Sequence, residues 1–229
     1  MKVLFGHQSV GADLLAWLSA ARESHRAPAI VASRRPPAGL DDFVAHFNVG
    51  RNGDADSKIR DFVESVSALA RGAVDVALFK FCYVDIVDES AAAALFERYT
   101  TALDGLQSQC SEITLAHVTV PLRTVRYGVR GALRRAFGQK HPEFVRNAAR
   151  ESFNARLRDR YAASGLLFDL ADLESSKRSG SRVLLSQYTD DGGHLNQTGK
   201  EAIAPAFLHF LHELQRPSTA SPTAHPAWH

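Results

Sequence analysis

Short apolar runs alternate with longer stretches of helical period along most of this chain, and no other feature restricts its fold as strongly. KVLFG (2–6) runs into a turn, after which Val10, Leu14, Leu15 and Leu18 recur at helical spacing. Further apolar runs follow at 28–33 (PAIVAS), 75–81 (DVALFKF), 112–122 (EITLAHVTVPL) and 165–173 (GLLFDLADL). After the second run, Pro-Pro opens a loop through HFNVGRNG that leads to a helix with Ile59, Phe62, Val63, Val66 and Leu69 on one face, capped by Asp54 or Asp56. Helical patterns also cover 89–108, 142–163 and the stretch after DDGGHLN, the last interrupted by Pro205. Regular strand–helix alternation predicts an α/β fold with about five parallel strands, helices on both faces, and any site at the carboxyl ends of the strands.

A chain of 229 residues with 45% hydrophobic and 23% charged residues can bury one sizeable core. We therefore expect a single domain over 1–215 and a disordered Pro/Ser/Thr/Ala-rich tail, RPSTASPTAHPAWH, over 216–229. The formal charge of +2 does not announce a nucleic-acid partner. Two cysteines, Cys82 and Cys110, are too few for a disulfide framework and are not spaced as a metal-ligand pair, which suits a reducing compartment. No leader-like segment opens the sequence and no apolar run reaches the ~18 residues that span a bilayer, so the expectation is a cytoplasmic protein without a membrane partner.

Three readings compete for the turn GHQSVG. Gly6 and Gly11 have the spacing of a phosphate-binding loop, but Ala12 and Asp13 stand where lysine and Ser/Thr are needed to reach phosphate and magnesium. The nucleophile elbow G-x-S-x-G fails too, because Gly6 lies three residues before Ser9. What is left is a serine at the junction of strand and helix, either a plain cap or a nucleophile whose own N–H faces a developing oxyanion. A nucleophilic serine needs a base. DDGGHLN supplies His194 with Asp191 three residues before it, close enough to turn back and hold one ring nitrogen while the other faces Ser9; Asp190 is the rival carboxylate. In a doubly wound sheet, loops after the first and last strands open on the same edge.

An early serine after the first strand combined with a late D-x-x-H resembles the SGNH, or GDSL-like, hydrolase superfamily. Motif blocks and strand order carry the resemblance over about residues 2–214. It implies a three-layer flavodoxin-like fold, and an esterase, lipase, carbohydrate deacetylase or acyltransferase activity that needs no metal or organic cofactor. The family's G-D-S is replaced by HQS, with Gln8 where Asp is usual. NVGRNGDADS is similar to the loop whose glycine N–H serves the oxyanion hole, with Gly53 the best match and Gly50 the alternative. In the block G-x-N-D the oxyanion-hole Asn is replaced by Val84, while Asp85 is kept. The resemblance thus implies Ser9, Asp191 and His194 as the catalytic residues and the N–H groups of Ser9 and Gly53 as oxyanion donors. Asn52 is the preferred substitute for the missing asparagine, with Gln8, His7 and Tyr83 behind it. His7, Gln8 and Tyr83 are also expected to bind substrate, while Lys80 and Asp85 are expected to pair with each other.

From Arg123 to Arg160 the chain holds ten arginines and one lysine against Glu143, Glu151 and Asp159. Arg126, Arg130, Arg134 and Arg135 fall at helical spacing, so 123–163 reads as a helical insertion or lid. Such a basic face is either solvated or grips an anionic group such as phosphate, sulfate or a uronate carboxylate, with Arg126 the expected substrate contact. The expected substrate is an acyl ester on a small polar molecule or carbohydrate, with an acyltransferase or a non-catalytic binding protein of the same fold as the alternatives.

Overall fold

The computed structural model describes residues 1–125, 141–178 and 180–215. Its elements run β1 (Lys2–His7), α1 (Val10–Ala20), α2 (Arg22–His25), β2 (Ala29–Ala32), β3 (Phe43–Asn48), α3 (Ala55–Ser67), β4 (Val76–Phe79) and α4 (Glu89–Gln109). They continue with β5 (Thr114–Val118), α5 (Pro142–Tyr161), β6 (Leu167–Phe168), α6 (Leu170–Leu173), β7 (Ser175–Arg178), β8 (Ser181–Leu184) and α7 (Gln197–Glu213). β2-β3-β1-β4-β5-β6 form one sheet in that order, every pair parallel.

The alternation of side chains along each strand builds the two cores. Leu4, Ala45, Ala77 and Leu115 face a cluster closed by Ile59 and Phe62 of α3, Leu95 and Tyr99 of α4, and Phe153 of α5. Val3, Phe5, Val44, Leu78 and Ala116 face the opposite cluster, closed by Leu14 and Leu18 of α1 and Ile203 and Phe207 of α7. The fold is thus three-layered, with residues 3–7 of β1 buried between β3 and β4.

Three sequence expectations change. The sheet has six strands, because FVAHFN (43–48), read as loop, is β3: Phe43, Ala45 and Phe47 enter one core and Val44 the other. The fifth apolar run shrinks to the two-residue β6 followed by the short α6, and the polar loop after it forms the antiparallel hairpin β7–β8. Within the Arg-rich segment, α5 is a layer helix of the fold: Ala149, Phe153 and Leu157 belong to the core, and Asn147, Arg150 and Asn154 are buried with them. Residues 126–140, which hold Arg126, Arg130, Arg134 and Arg135, lie outside the described residues, as does the tail 216–229. Among the described residues no helix is long and apolar enough to cross a membrane.

Candidate active site

Ser9 sits between β1, one of the two central strands of the sheet, and α1. Its backbone has φ 47° and ψ −110°, one of only two positive φ values at non-glycine residues among those described, and its side chain makes no capping hydrogen bond. That geometry is the mirror image of an ordinary extended conformation, accepted by glycine and strained by about 1–3 kcal/mol in an L-residue. The plain-cap reading therefore falls. The turn is tight because Gly11 lets α1 close on β1: a Cβ there would lie 2.4 Å from Cβ of His7. The Gly11 and Ala12 N–H groups donate to the Gln8 and Ser9 carbonyls, while the Ser9 N–H has no backbone partner among the described residues.

Asp191 and His194 form the expected pair. The Asp191 carboxylate takes a short hydrogen bond from His194 Nδ1, and its other oxygen accepts the Gly193 and His194 N–H groups at 2.8 Å each. Burial is the largest single influence on this carboxyl and pushes its pKa up. The His194 ring bond, the two N–H bonds and the His194 charge together outweigh it and hold the acid well below the usual carboxylate range. Asp190 turns the other way, accepting Asn196 Nδ2 at 3.1 Å. Asn196 caps α7.

Packing brings the two ends of the chain together. The Leu195 N–H, next to His194, donates to Asp13 of α1 at 3.0 Å, one turn along from Ser9. Between them stands the loop after β4: Cys82 Sγ is 3.9 Å from Ser9 Oγ, and the Tyr83 ring meets His194 edge-on at 6.2 Å. Gly193 makes that approach possible, since a Cβ there would lie 2.9 Å from the Tyr83 ring. No hydrogen bond joins Ser9 to His194 among the described residues.

Other expected roles are corrected. The Gly53 N–H is not free for an oxyanion, because it donates to Asp85 at 2.7 Å; the Gly50 N–H is likewise held, by Asp61 at 2.7 Å. Asp85 does not pair with Lys80. It is fully buried against Lys58, Nζ to Oδ2 2.6 Å, and the same oxygen accepts the Cys82 N–H at 2.6 Å. His7 is 2% exposed, its Nε2 is 2.9 Å from His46 Nδ1, and it sits beneath the turn. Burial first, then the Lys80 and His46 charges, push its pKa down to about 3, which keeps it neutral. Gln8 uses its amide nitrogen on the Val49 and Gly50 carbonyls, both at 3.1 Å, and so fastens the end of β1 to the loop after β3. Neither residue presents its polar nitrogen to a substrate.

Asn52 is oriented by its neighbour. Its Oδ1 accepts Lys58 Nζ at 2.9 Å, and because an ammonium only donates, the Asn52 NH2 group is turned the other way, on an exposed loop tip. Residues to which the sequence reading gave no role at the site include Lys58, Cys82, Arg123 and the wholly buried Glu174; Lys80, expected to pair with Asp85, is wholly buried as well. Burial pushes the Lys80 ammonium down to about 8 and the Glu174 carboxyl up to about 8, each partly opposed by the other's charge. A lysine and a glutamate two strands apart in sequence carry no local signal that each sits within reach of the other's charge.

No protein-family model matches the chain, and no curated protein is significantly similar to it. Solved structures do share its fold. A GDSL-like lipase from Bacteroides thetaiotaomicron aligns with a TM-score of 0.57 at 12% identity, over 92% of this chain and 87% of that one. A lipase/acylhydrolase from Enterococcus faecalis aligns with a TM-score of 0.55 at 15% identity, over 93% and 96%. A carbohydrate esterase family 3 structure from Talaromyces cellulolyticus aligns with a TM-score of 0.51 at 14% identity, over 93% and 98%. At such identities the likeness is one of architecture: this chain is built on the three-layer α/β fold of GDSL-like lipases, acylhydrolases and esterases.

Proposed function

We propose that the chain is a divergent SGNH-type serine ester hydrolase. The observation that carries this reading is the strained Ser9, hydroxyl uncommitted to any cap, at the carboxyl end of β1 on the edge where the Asp191–His194 pair also stands. Ser9 Oγ attacks the ester carbonyl as His194 Nε2 takes its proton. Asp191 holds Nδ1–H, fixing the tautomer and stabilising the imidazolium. The tetrahedral oxyanion is met by the Ser9 N–H and by the Asn52 NH2, which Lys58 turns outward. His194 then gives its proton to the leaving alcohol, and water repeats the sequence to free the acid. A serine–histidine bond that is open in the free protein and closes on substrate is common in such sites.

An acyl ester on a polar molecule, such as an acetylated sugar, fits this site. Two observations favour that choice: the arginines around Tyr83, and the likeness in fold to a carbohydrate esterase. The occupied Gly53 N–H favours a second reading, a binding protein that has kept the fold and lost a donor. A fluorophosphonate probe separates them. Labelling of Ser9 that disappears in His194→Ala supports catalysis, and folded protein that never labels supports binding. With 4-nitrophenyl acetate, Asp191→Asn should lower kcat by about a hundredfold or more, because the wrong tautomer then faces Ser9.

A further inference from the structure

Resting on that reading, we propose that Arg123 is the specificity-determining residue of the site, and that it binds an anionic substituent, carboxylate or phosphate, carried by the ester substrate. Arg123 follows β5 and is held by its backbone on both sides. Buried Asn147 accepts its N–H at 3.0 Å and donates to its carbonyl at 2.7 Å. Its Nε donates to the Gly192 carbonyl at 3.2 Å, and the same carbonyl accepts the Thr124 N–H at 3.1 Å. The loop that carries Asp191 and His194 is thereby fastened to the loop that carries Arg123.

The guanidinium lies over the Tyr83 ring, 5.0 Å from its centroid, and the same ring meets His194 edge-on. One aromatic ring therefore separates the cation from the general base. Stacking and the Nε bond fix the plane of the fork, yet the terminal nitrogens have no hydrogen-bond or ion-pair partner among the described residues. Arg150, on the other side of Tyr83, makes an informative contrast. Its Nε donates to the Tyr83 carbonyl at 2.8 Å, and its Nη1 is taken by Asn147 at 2.6 Å and Glu143 at 3.4 Å. Glu143 is also bound to Arg146 at 2.7 Å, and Asp191 is committed to His194. Among the described residues three guanidinium groups thus face one carboxylate, Glu143, beside Tyr83, and the one without a partner there is pre-oriented. Planar, bidentate recognition of an oxyanion is what such a fork does best. A structural role alone needs only Nε.

The test uses two matched pairs of esters, in which the anion sits on either the alcohol or the acyl side: 4-acetoxybenzoate against 4-acetoxybenzamide, and phenyl hydrogen succinate against phenyl succinamate. The full chain should prefer the anionic member of at least one pair by about tenfold to a hundredfold in kcat/KM, the range typical of a charge-assisted hydrogen bond. The pair showing the preference tells which side of the ester faces Arg123. In Arg123→Gln that ratio should fall toward one, chiefly through a higher KM for the anionic ester, and Arg123→Lys should restore part of it. Because the readout is a ratio, general loosening of the loop does not imitate the result. An unchanged ratio in Arg123→Gln, or no preference in the parent protein for either pair, overturns the proposal. Calorimetric titration of Ser9→Ala protein with the same acetoxybenzoate and its amide keeps the two claims apart. Preferential binding of the anion there, lost on adding Arg123→Gln, upholds the anion site even if no ester is ever cleaved.

Discussion

At the scale of single residues, Ser9 carries a consequence that does not depend on substrate. A side chain at φ 47°, ψ −110° is strained, and glycine is the residue that adopts this geometry freely. Ser9→Ala keeps the strain and removes the hydroxyl; Ser9→Gly removes both. Urea unfolding should therefore find Ser9→Gly about 1 kcal/mol more stable than Ser9→Ala, with neither protein reacting with the fluorophosphonate. A glycine variant less stable than the alanine one by the ~0.4–1 kcal/mol that glycine's looser unfolded chain costs would show that the turn is not strained. The same residue shows what the sequence made legible. Ser9 is announced by its place after an apolar strand, and Asp191 with His194 by a three-residue spacing, both local patterns. The fate of the Gly53 N–H was not legible, because its acceptor, Asp85, is contributed by the loop after a different strand.

Among the elements, the same asymmetry recurs. α3 is readable from its apolar stripe and an Asp54 or Asp56 cap, and α4 as a helical pattern over 89–108, whereas β3 is hidden because His46 and Asn48 interrupt a run whose partners lie on both sides of it in the sheet. α5 is readable as a helix, but not as a layer of the fold. Its Arg150 and two asparagines look solvated in the sequence, yet they are buried where they satisfy the loops after β4 and β5. Polar groups that serve distant backbone carry no period. Asp85 is the strongest case, tying the loop after β3, the loop after β4 and α3 through the Gly53 N–H, the Cys82 N–H and Lys58. Asp85 and Lys58 side chains are both 0% exposed, so removing one leaves a buried charge without its partner. Asp85→Ala should cost about 3–5 kcal/mol in unfolding free energy, and Lys58→Met combined with it should cost less than the two changes added together. Full additivity in that cycle would mean the pair does not act as a unit.

For the whole molecule, buried titratable groups on both sides of the sheet set the pH range in which the fold holds. His7, against Lys80 and His46, and His117, against Tyr99 and beneath Tyr161, are each pushed down to about 3, burial being the largest cause in both. An unfolded histidine binds its proton near pH 6.5. Between about 6.5 and 3 the unfolded chain therefore holds more protons at these two positions than the folded one, and stability falls as the solution is acidified. Glu174 has the opposite sign. Its folded pKa is raised to about 8 by burial, so between its ordinary value of 4.5 and 8 the folded protein holds the extra proton and stability falls as pH rises. Where the two windows overlap, two histidines outweigh one glutamate, and above 6.5 the glutamate acts without them. On the carboxyls of Asp61 and Glu143 burial is the largest single influence and pulls upward, but their arginine partners, with the Gly50 N–H for Asp61, together outweigh it and hold both low, so below about pH 4 they add to the acid loss. Thermal melts from pH 4 to 8 should accordingly show a maximum near pH 6.5. Glu174→Gln should flatten the alkaline side and leave the acid side in place, because the amide cannot ionise, whereas His117→Phe should make the acid side shallower. A melting temperature still rising from pH 6.5 to 8 in the parent protein would show that Glu174 is ionised in the fold, its burial offset by the Lys80 charge.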